Sequence, residues 1–419
     1  MKNRLQKMYD VIIIGGGPAG LAAALGAREG GAEHILVIDR EIEAGGILNQ
    51  CIHSGFGLHY FKEEFTGPEY AERFIRNVRS DHVEILTDSY VLDISPDLHL
   101  EIISGDHGYL NLKARAVVLA MGCRERTRGA IRTPGFRPAG VITAGLAQKM
   151  VNLKGLLPGR RIAILGSGDI GLIMARRLVL EGCEVVGVYE LQPYSNGLTR
   201  NVVQCLDDFD IPLQLSTTVA FIHGRDRVER LTLAPVNQQF MPDLSRSRDV
   251  ICDTLLLSIG LIPENELSTK LRLRMDPATG GPQVTSTLET SLPGVFACGN
   301  VLHVHDLVDF VSEESLRAGC FAAEVALDIR RPSDNISLQA GENIASCVPQ
   351  SLSPDREQII YLRVKRPLKN CILTIGDRYE KKFRMLIPSE MIRLTLAPEI
   401  LDRYFGDNLK IDIWPQDGT

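Results

Sequence analysis

A chain of 419 residues is long enough for about three domains, each burying its own core. Its 52 acidic against 46 basic side chains leave a net charge of −6 and a pI near 5.9, which excludes the basic footprint of a nucleic-acid binder. The nine cysteines are scattered, the nearest pairs being Cys183–Cys205 and Cys298–Cys320, so a CxxC redox pair, a zinc ribbon and an iron–sulfur loop have no spacing to use.

The first predicted element is the apolar run Val11-Ile12-Ile13-Ile14, followed by Gly15-Gly16-Gly17-Pro18-Ala19-Gly20 and a helix-like stretch. A strand, a GxGxxG turn and a helix make a dinucleotide cradle. Gly15 permits the tight turn, Gly17 lets the pyrophosphate approach the backbone, Gly20 lets helix and strand pack closely, and the helix N-terminus attracts the phosphates. Ile35–Asp39 reads as the next strand, with Asp39 lying 19 residues past Gly20 (39 − 20), where a carboxylate accepts from a ribose hydroxyl. Residues 41–67 read as a glycine-rich loop carrying Gly45, Gly46, Cys51, His53 and His59. A helix is predicted over 68–80, a strand-rich stretch over 83–103, and a buried strand over 113–122 ending in Gly122. The turn with Arg124, Arg126 and Arg128 would either hold an anion or stand as a solvated basic turn.

The pattern then repeats. Ile162-Ala163-Ile164-Leu165 precedes Gly166-Ser167-Gly168-Asp169-Ile170-Gly171, and the strand 184–190 ends at Glu190, 19 residues past Gly171 (190 − 171). Glu190 would bond a ribose 2′-hydroxyl and repel a 2′-phosphate, so NAD is expected over NADP at this second site. Further on come a buried strand over 254–260, a strand and turn over 293–300, the pair His303 and His305, and a helix over 309–329. Metal ligation by that pair would need further ligands that the sequence does not place, so no metal is expected. Beyond Pro332, apolar and polar residues alternate in places between 359 and 396, which suggests a β-rich appendix. The expected class is α/β with two Rossmann-like domains. The boundaries are 1–138 and 253–331 for the first domain, 139–252 for a second inserted in it, and 332–419 for the appendix.

Five motifs in this order resemble the two-dinucleotide flavoproteins of the pyridine-nucleotide-disulfide-reductase type. They are the two fingerprints, Ala120-Met121-Gly122, Ser258-Ile259-Gly260-Leu261-Ile262-Pro263, and Val295-Phe296-Ala297-Cys298-Gly299-Asn300. The resemblance implies FAD on the first unit and NAD on the second. FAD would be held by Gly15, Gly17, Pro18, Ala19 and Gly20, then by Asp39, Arg40, Gly45, Gly46 and Val91. Ala120, Gly122, Gly299 and Asn300 would complete the site, with His305 and Asp306 at the start of the next helix. NAD would be held by Gly166, Gly168, Asp169, Ile170, Gly171 and Glu190. Two departures matter. Asn300 stands where the family has an acid, and the family's thiol positions fall on Leu48 and His53, so disulfide reduction is not expected.

The stretch 138–145 and Arg124-Glu125-Arg126 resemble a narrower group, the FAD/NAD subunits of heteromeric dehydrogenases. These include sarcosine oxidase α-subunits, dye-linked proline dehydrogenases, opine oxidases and hydrogen cyanide synthase, with relatives beside glycerol-3-phosphate dehydrogenase subunits. The resemblance implies an oxidoreductase relaying electrons between NAD(H) and FAD for a partner dehydrogenase subunit and an iron–sulfur or other electron-transfer protein, within an oligomer. A stand-alone NADH dehydrogenase with a soluble or quinone acceptor, and a non-redox nucleotide-binding subunit, are the alternatives. Cys51 and His53 are flavin-proximal candidates, with pocket lining as their plain role. The first strand begins too close to Met1 for a cleavable signal, and no apolar run spans a membrane, so a cytoplasmic protein is expected.

Overall fold

A computed structural model describes residues 5–80, 82–329, 336–376, 379–401 and 408–416. The chain divides into two compact units, one made of Met1–Cys123 with Pro263–Thr419 and the other of Arg124–Ile262.

The first unit is built on a sheet of seven strands among the described residues. The strand Met8–Ile14 lies between Ile35–Ile38 and Gly108–Leu119, all parallel, and Val83–Leu86 extends the edge beyond Ile35–Ile38. Ile12, Ile13, Leu36 and Val118 are wholly buried, because an all-apolar strand can be covered on both faces. The strand Gly108–Leu119 changes neighbours along its length. Its start pairs antiparallel with His99–Ser104, and its end pairs parallel with Val295–Ala297. The sheet is thereby completed by a strand nearly two hundred residues downstream (295 − 108).

The fingerprint helix Pro18–Glu29 packs on the long helix Val308–Ala326 through small residues. A Cβ on Gly26 would overlap the Leu316 carbonyl, and one on Gly319 would overlap the Ala23 carbonyl, so the two backbones meet almost directly. The boundary expected at 331/332 lies outside the described residues. From Ile336 onward the appendix forms a five-stranded and a three-stranded sheet around its own core, which includes Ile360, Leu362, Leu373 and Ile411. It is fastened to the turn before the long helix. The Arg363 guanidinium donates to the Asp306 carboxylate and to the Val304 carbonyl, and Arg393 pairs with Glu313 of the helix itself through Nε and Nη2.

The second unit holds a parallel sheet in the order Val141–Thr143, Thr254–Leu257, Arg161–Leu165, Glu184–Tyr189, Leu213–Gln214. Beside it, Thr217–His223, Arg230–Pro235 and Arg248–Ile251 form an antiparallel sheet. Thr254–Leu257 pairs with Arg161–Leu165 in this unit, past residue 252, where the sequence pattern ended it. A short buried run suits either sheet, and only its register decides. The unit also reaches back before residue 139. The Phe136 N–H donates to the Ile222 carbonyl, and Arg128 donates to the carbonyls of Thr133 and Gly135. Arg128 is therefore neither an anion clamp nor a solvated turn residue; it staples its own loop. Among the described residues, no helix is long and apolar enough to cross a membrane.

Candidate functional site

At the first fingerprint, the turn is closed by overlap-free glycines. A Cβ on Gly15 would strike the Ala120 carbonyl, and one on Gly20 would strike the Gly15 carbonyl. The Gly45 N–H donates to the Gly16 carbonyl at 2.8 Å, which docks the 45–46 loop beside the turn. Gly46 faces Gly17 with no side chain on either. Asp39, at the end of Ile35–Ile38, accepts the Gly16 N–H on one oxygen and the Glu41 N–H on the other at 2.7 Å. Burial pushes its carboxyl above the ordinary range, against the pull of those two bonds. The Ser89 N–H donates to the Asp39 carbonyl, so the strand bearing buried Val91 starts at that same end. Arg40 is exposed.

The other first-unit candidates converge from distant segments. Gly299 has a φ of +68° and lies against Ala19, where a Cβ would come within 2.8 Å of the Ala19 Cβ. Gly122 has a φ of +72°, and a Cβ there would meet nothing within 4 Å. Asn300 accepts the His305 N–H at 3.0 Å and directs its amide at Cys123 Sγ. The helix Pro18–Glu29 starts at Gly17 with no side-chain cap and no acid in its first turn, which leaves its N–H groups for an anion.

The remaining candidates have partners of their own within the chain. Asp306 spends one oxygen on Arg363 and the other on the Met391 N–H. His305 turns its ring to Glu314 and the His303 carbonyl. Cys51 is partly buried, with its Sγ near the Ile47 carbonyl at 3.3 Å, and burial pushes its thiol up to about 12. A thiol held there is protonated at neutral pH and is a poor nucleophile. His53 stacks near Phe56, with ring centroids 4.9 Å apart, and its Nδ1 lies 3.0 Å from the Ser54 carbonyl.

The second fingerprint reproduces the first at its carboxylate. Glu190 accepts the Ser167 N–H at 2.9 Å on one oxygen and the Gln192 N–H at 2.8 Å on the other. Ser258, from the neighbouring strand end, accepts the Gly171 N–H at 3.1 Å and braces the turn near Gly166 and Gly168. Unlike the first helix, Asp169–Leu180 begins with an acid. Asp169 accepts from the Leu198 N–H and the Asn201 amide, and Ser167 Oγ accepts the Asn196 N–H, so the 196–201 segment is tied to the turn. Ile170 is partly exposed beside it. Sequence reasoning gave Asp169 as a cofactor residue but did not foresee this latch, because its partners carry no motif.

The pyridine nucleotide-disulphide oxidoreductase family matches residues 9–317, which contain both fingerprints and all three other motifs. The chain belongs to that family. This pyridine nucleotide-disulphide oxidoreductase relative is thus an FAD/NAD(P)-dependent oxidoreductase by descent, of mixed α/β fold. It is 25% identical over 315 residues to hydrogen cyanide synthase subunit HcnB of Pseudomonas protegens, covering 69% of this chain and 65% of that one. It therefore spans just under two thirds of that relative's length. Among solved structures, thioredoxin reductase of T. acidophilum matches with a TM-score of 0.59 at 21% identity, over 77% of this chain and 99% of that one. L-proline dehydrogenase from P. horikoshii matches with a TM-score of 0.53 at 19% identity, over 74% of this chain and 54% of that one. Both likenesses bear on the fold. The family's disulfide chemistry has no local thiol pair to use in this chain, since Leu48 and His53 stand at the expected thiol positions.

Proposed function

We propose that this oxidoreductase passes electrons between NAD(H), bound by Arg124–Ile262, and FAD, bound by the first unit, as the relay subunit of a heteromeric dehydrogenase. The observation that carries the proposal is the repeated carboxylate latch: Asp39 and Glu190 each bind the N–H of a fingerprint residue and the N–H two residues on. That repetition supports a ribose at each of two sites, not one nucleotide and one vestigial turn.

The first unit fits FAD. Gly17 and Gly46 face each other without side chains, Gly122 opens on empty space, and the helix start at Gly17 offers uncapped N–H groups to a pyrophosphate. Gly15, Pro18, Ala19 and Gly20 shape that turn, while Asp39 holds the ribose and Val91 lines the adenine end. Ala120, Gly122, Gly299 and Asn300 border the remainder. When bound, FAD exchanges a hydride with nicotinamide and can release electrons singly to another centre. The protein's part is to position and insulate, so the missing acid–base triad needs no replacement. In the second unit, Glu190 accepts from a ribose 2′-hydroxyl and repels a 2′-phosphate, which supports NAD over NADP. The relay role is supported by the naming of the HcnB relative as a subunit of hydrogen cyanide synthase.

Anaerobic titration of the FAD-loaded chain with NADH tests this, read by flavin absorbance at about 450 nm. Prompt bleaching without turnover of soluble acceptors is expected. FAD that stays oxidised under excess NADH would overturn the relay.

A further inference from the structure

His303, His305 and Glu314 meet inside the first unit, and the relay has no use for them. The two histidines lie just past the turn Gly299–Val301, and Glu314 lies on the helix Val308–Ala326. Their side chains are 6%, 1% and 0% exposed. Glu314 Oε2 is 2.7 Å from His303 Nε2 and 3.5 Å from His305 Nε2, and all three atoms lie within 4.8 Å of one another. Tyr361, from the appendix, covers the cluster with its ring centroid 5.3 and 5.5 Å from the two imidazoles.

The proton inventory is what makes the cluster unusual. His305 Nδ1 lies 3.1 Å from the His303 carbonyl, which can only accept, so Nδ1 carries the proton. In a neutral imidazole Nε2 then holds a lone pair. That buried Nε2 makes no hydrogen bond, although a carboxylate oxygen sits 3.5 Å away. Two lone pairs facing each other away from water repel unless a proton or another cation joins them. Arg363 and Arg317, whose charges are felt here, do not supply it. Arg363 donates to Asp306, and Arg317 donates to the Ser286 carbonyl.

The surroundings match those of a metal centre. An imidazole whose Nδ1–H is fixed by a carbonyl presents Nε2 in a set orientation, as metal-ligating histidines do. Glu314 is fixed in the same way, since its other oxygen accepts the Gly299 N–H at 2.7 Å. Metal–ligand bonds of about 2.0–2.2 Å separate ligand atoms by roughly 3.0–3.5 Å, so seating an ion needs the His303–Glu314 contact to open and the two imidazole nitrogens, within 4.8 Å of each other, to close.

We propose that His303, His305 and Glu314 bind a divalent first-row metal ion, zinc(II) by their donor set, which ties the turn after Gly299 to the long helix. Two imidazoles and one carboxylate are a zinc donor set, with a fourth position left for water or the Tyr361 phenol. The site stands whether or not the relay does, because none of its ligands belongs to either fingerprint.

The test uses the untagged full chain with FAD bound. Elemental analysis as purified is expected to give about one zinc per chain. After chelator dialysis, added zinc chloride is expected to raise the melting temperature, and cobalt(II) to give the visible bands of a four-coordinate nitrogen–oxygen site. His305→Gln is expected to lose the metal, read by elemental analysis. Substoichiometric zinc with no thermal response to added zinc would overturn the proposal. So would a His305→Gln chain that keeps the metal, or a cobalt spectrum dominated by thiolate charge transfer. If His305→Gln does not fold, the wild-type titration and cobalt spectrum decide alone.

Discussion

The two fingerprint turns share a carboxylate latch and differ at the start of the helix. At the first, the helix opens with Pro18 and carries no acid in its first turn. At the second, Asp169 occupies the first turn and binds Leu198 and Asn201 of the following loop. An anion placed at a helix N-terminus satisfies the dipole from within the protein. Neither helix has a side-chain cap, but Asp169 gives the second turn a negative charge of its own and ties it to that loop. The first carries no such charge, which leaves its N–H groups to the pyrophosphate of the proposed FAD. Such a contrast suits a cofactor that stays at the first site and one that exchanges at the second.

Substitutions can break this comparison at several levels. The largest effect is expected for Gly20→Ala, where the new Cβ overlaps a backbone carbonyl that cannot move aside. A cost of about 3 kcal/mol or more and loss of FAD are expected, measured by melting temperature and flavin content. The counterpart Gly171→Ala meets Ser258 Cβ at 2.6 Å and Oγ at 2.8 Å, so the strand end bearing Ser258 must shift slightly, a smaller overlap than at Gly20. It is expected to cost only about 1–2 kcal/mol and to leave FAD in place.

Next come the two carboxylates. Glu190→Ala is expected to raise KM for NADH roughly tenfold and to narrow the preference over NADPH, with flavin content unchanged. Asp39→Ala should do the reverse, shedding FAD while NADH binding measured by calorimetry persists. If both variants lost both ligands, the independence of the two sites would be refuted. A smaller effect is expected for Asp169→Ala. Freeing the 196–201 loop should change KM for NADH a few-fold and speed proteolytic cleavage within that loop, again without touching flavin content. The smallest is Cys51→Ser. A thiol pushed up to about 12 takes no part as a thiolate at pH 7, so the rate of flavin reduction by NADH should be unchanged within error.

Much of this architecture is legible in the residues because its elements are local. The apolar runs Val11–Ile14 and Ile162–Leu165, their glycine turns, and the acids Asp39 and Glu190 all fall within short windows of regular spacing. Residues whose partners lie far away in sequence were not legible. The run Thr254–Leu257 gives no sign of which sheet it joins, since either would bury it. Arg128 appears as one of three alternating arginines, and only the folded loop shows it donating to main-chain carbonyls. The pair His303 and His305 was visible, but Glu314 sits among helix residues that look unremarkable. Only one turn of chain geometry brings it to the Gly299 N–H and both rings. The resemblance puts Asp306 at the helix start beside the flavin, and nothing in the sequence signals that Arg363 of the appendix pairs with it.

The division of the chain has a consequence for how it is made. The second unit is one continuous stretch, Arg124–Ile262, and every strand of its sheets has left the ribosome before the first unit can close. The first unit must wait for Val295–Ala297 to line its sheet and for Val308–Ala326 to cover the fingerprint helix. Until then Ala23, Gly26 and Ala27 present a bare apolar face while a further 293 residues are made (319 − 26). The middle of the chain can complete its sheets first, while Met1–Cys123 waits for the strand and helix that follow it. Translation that stalls between these segments would leave a completed nucleotide unit tethered to a sticky half-sheet, the state from which aggregation starts.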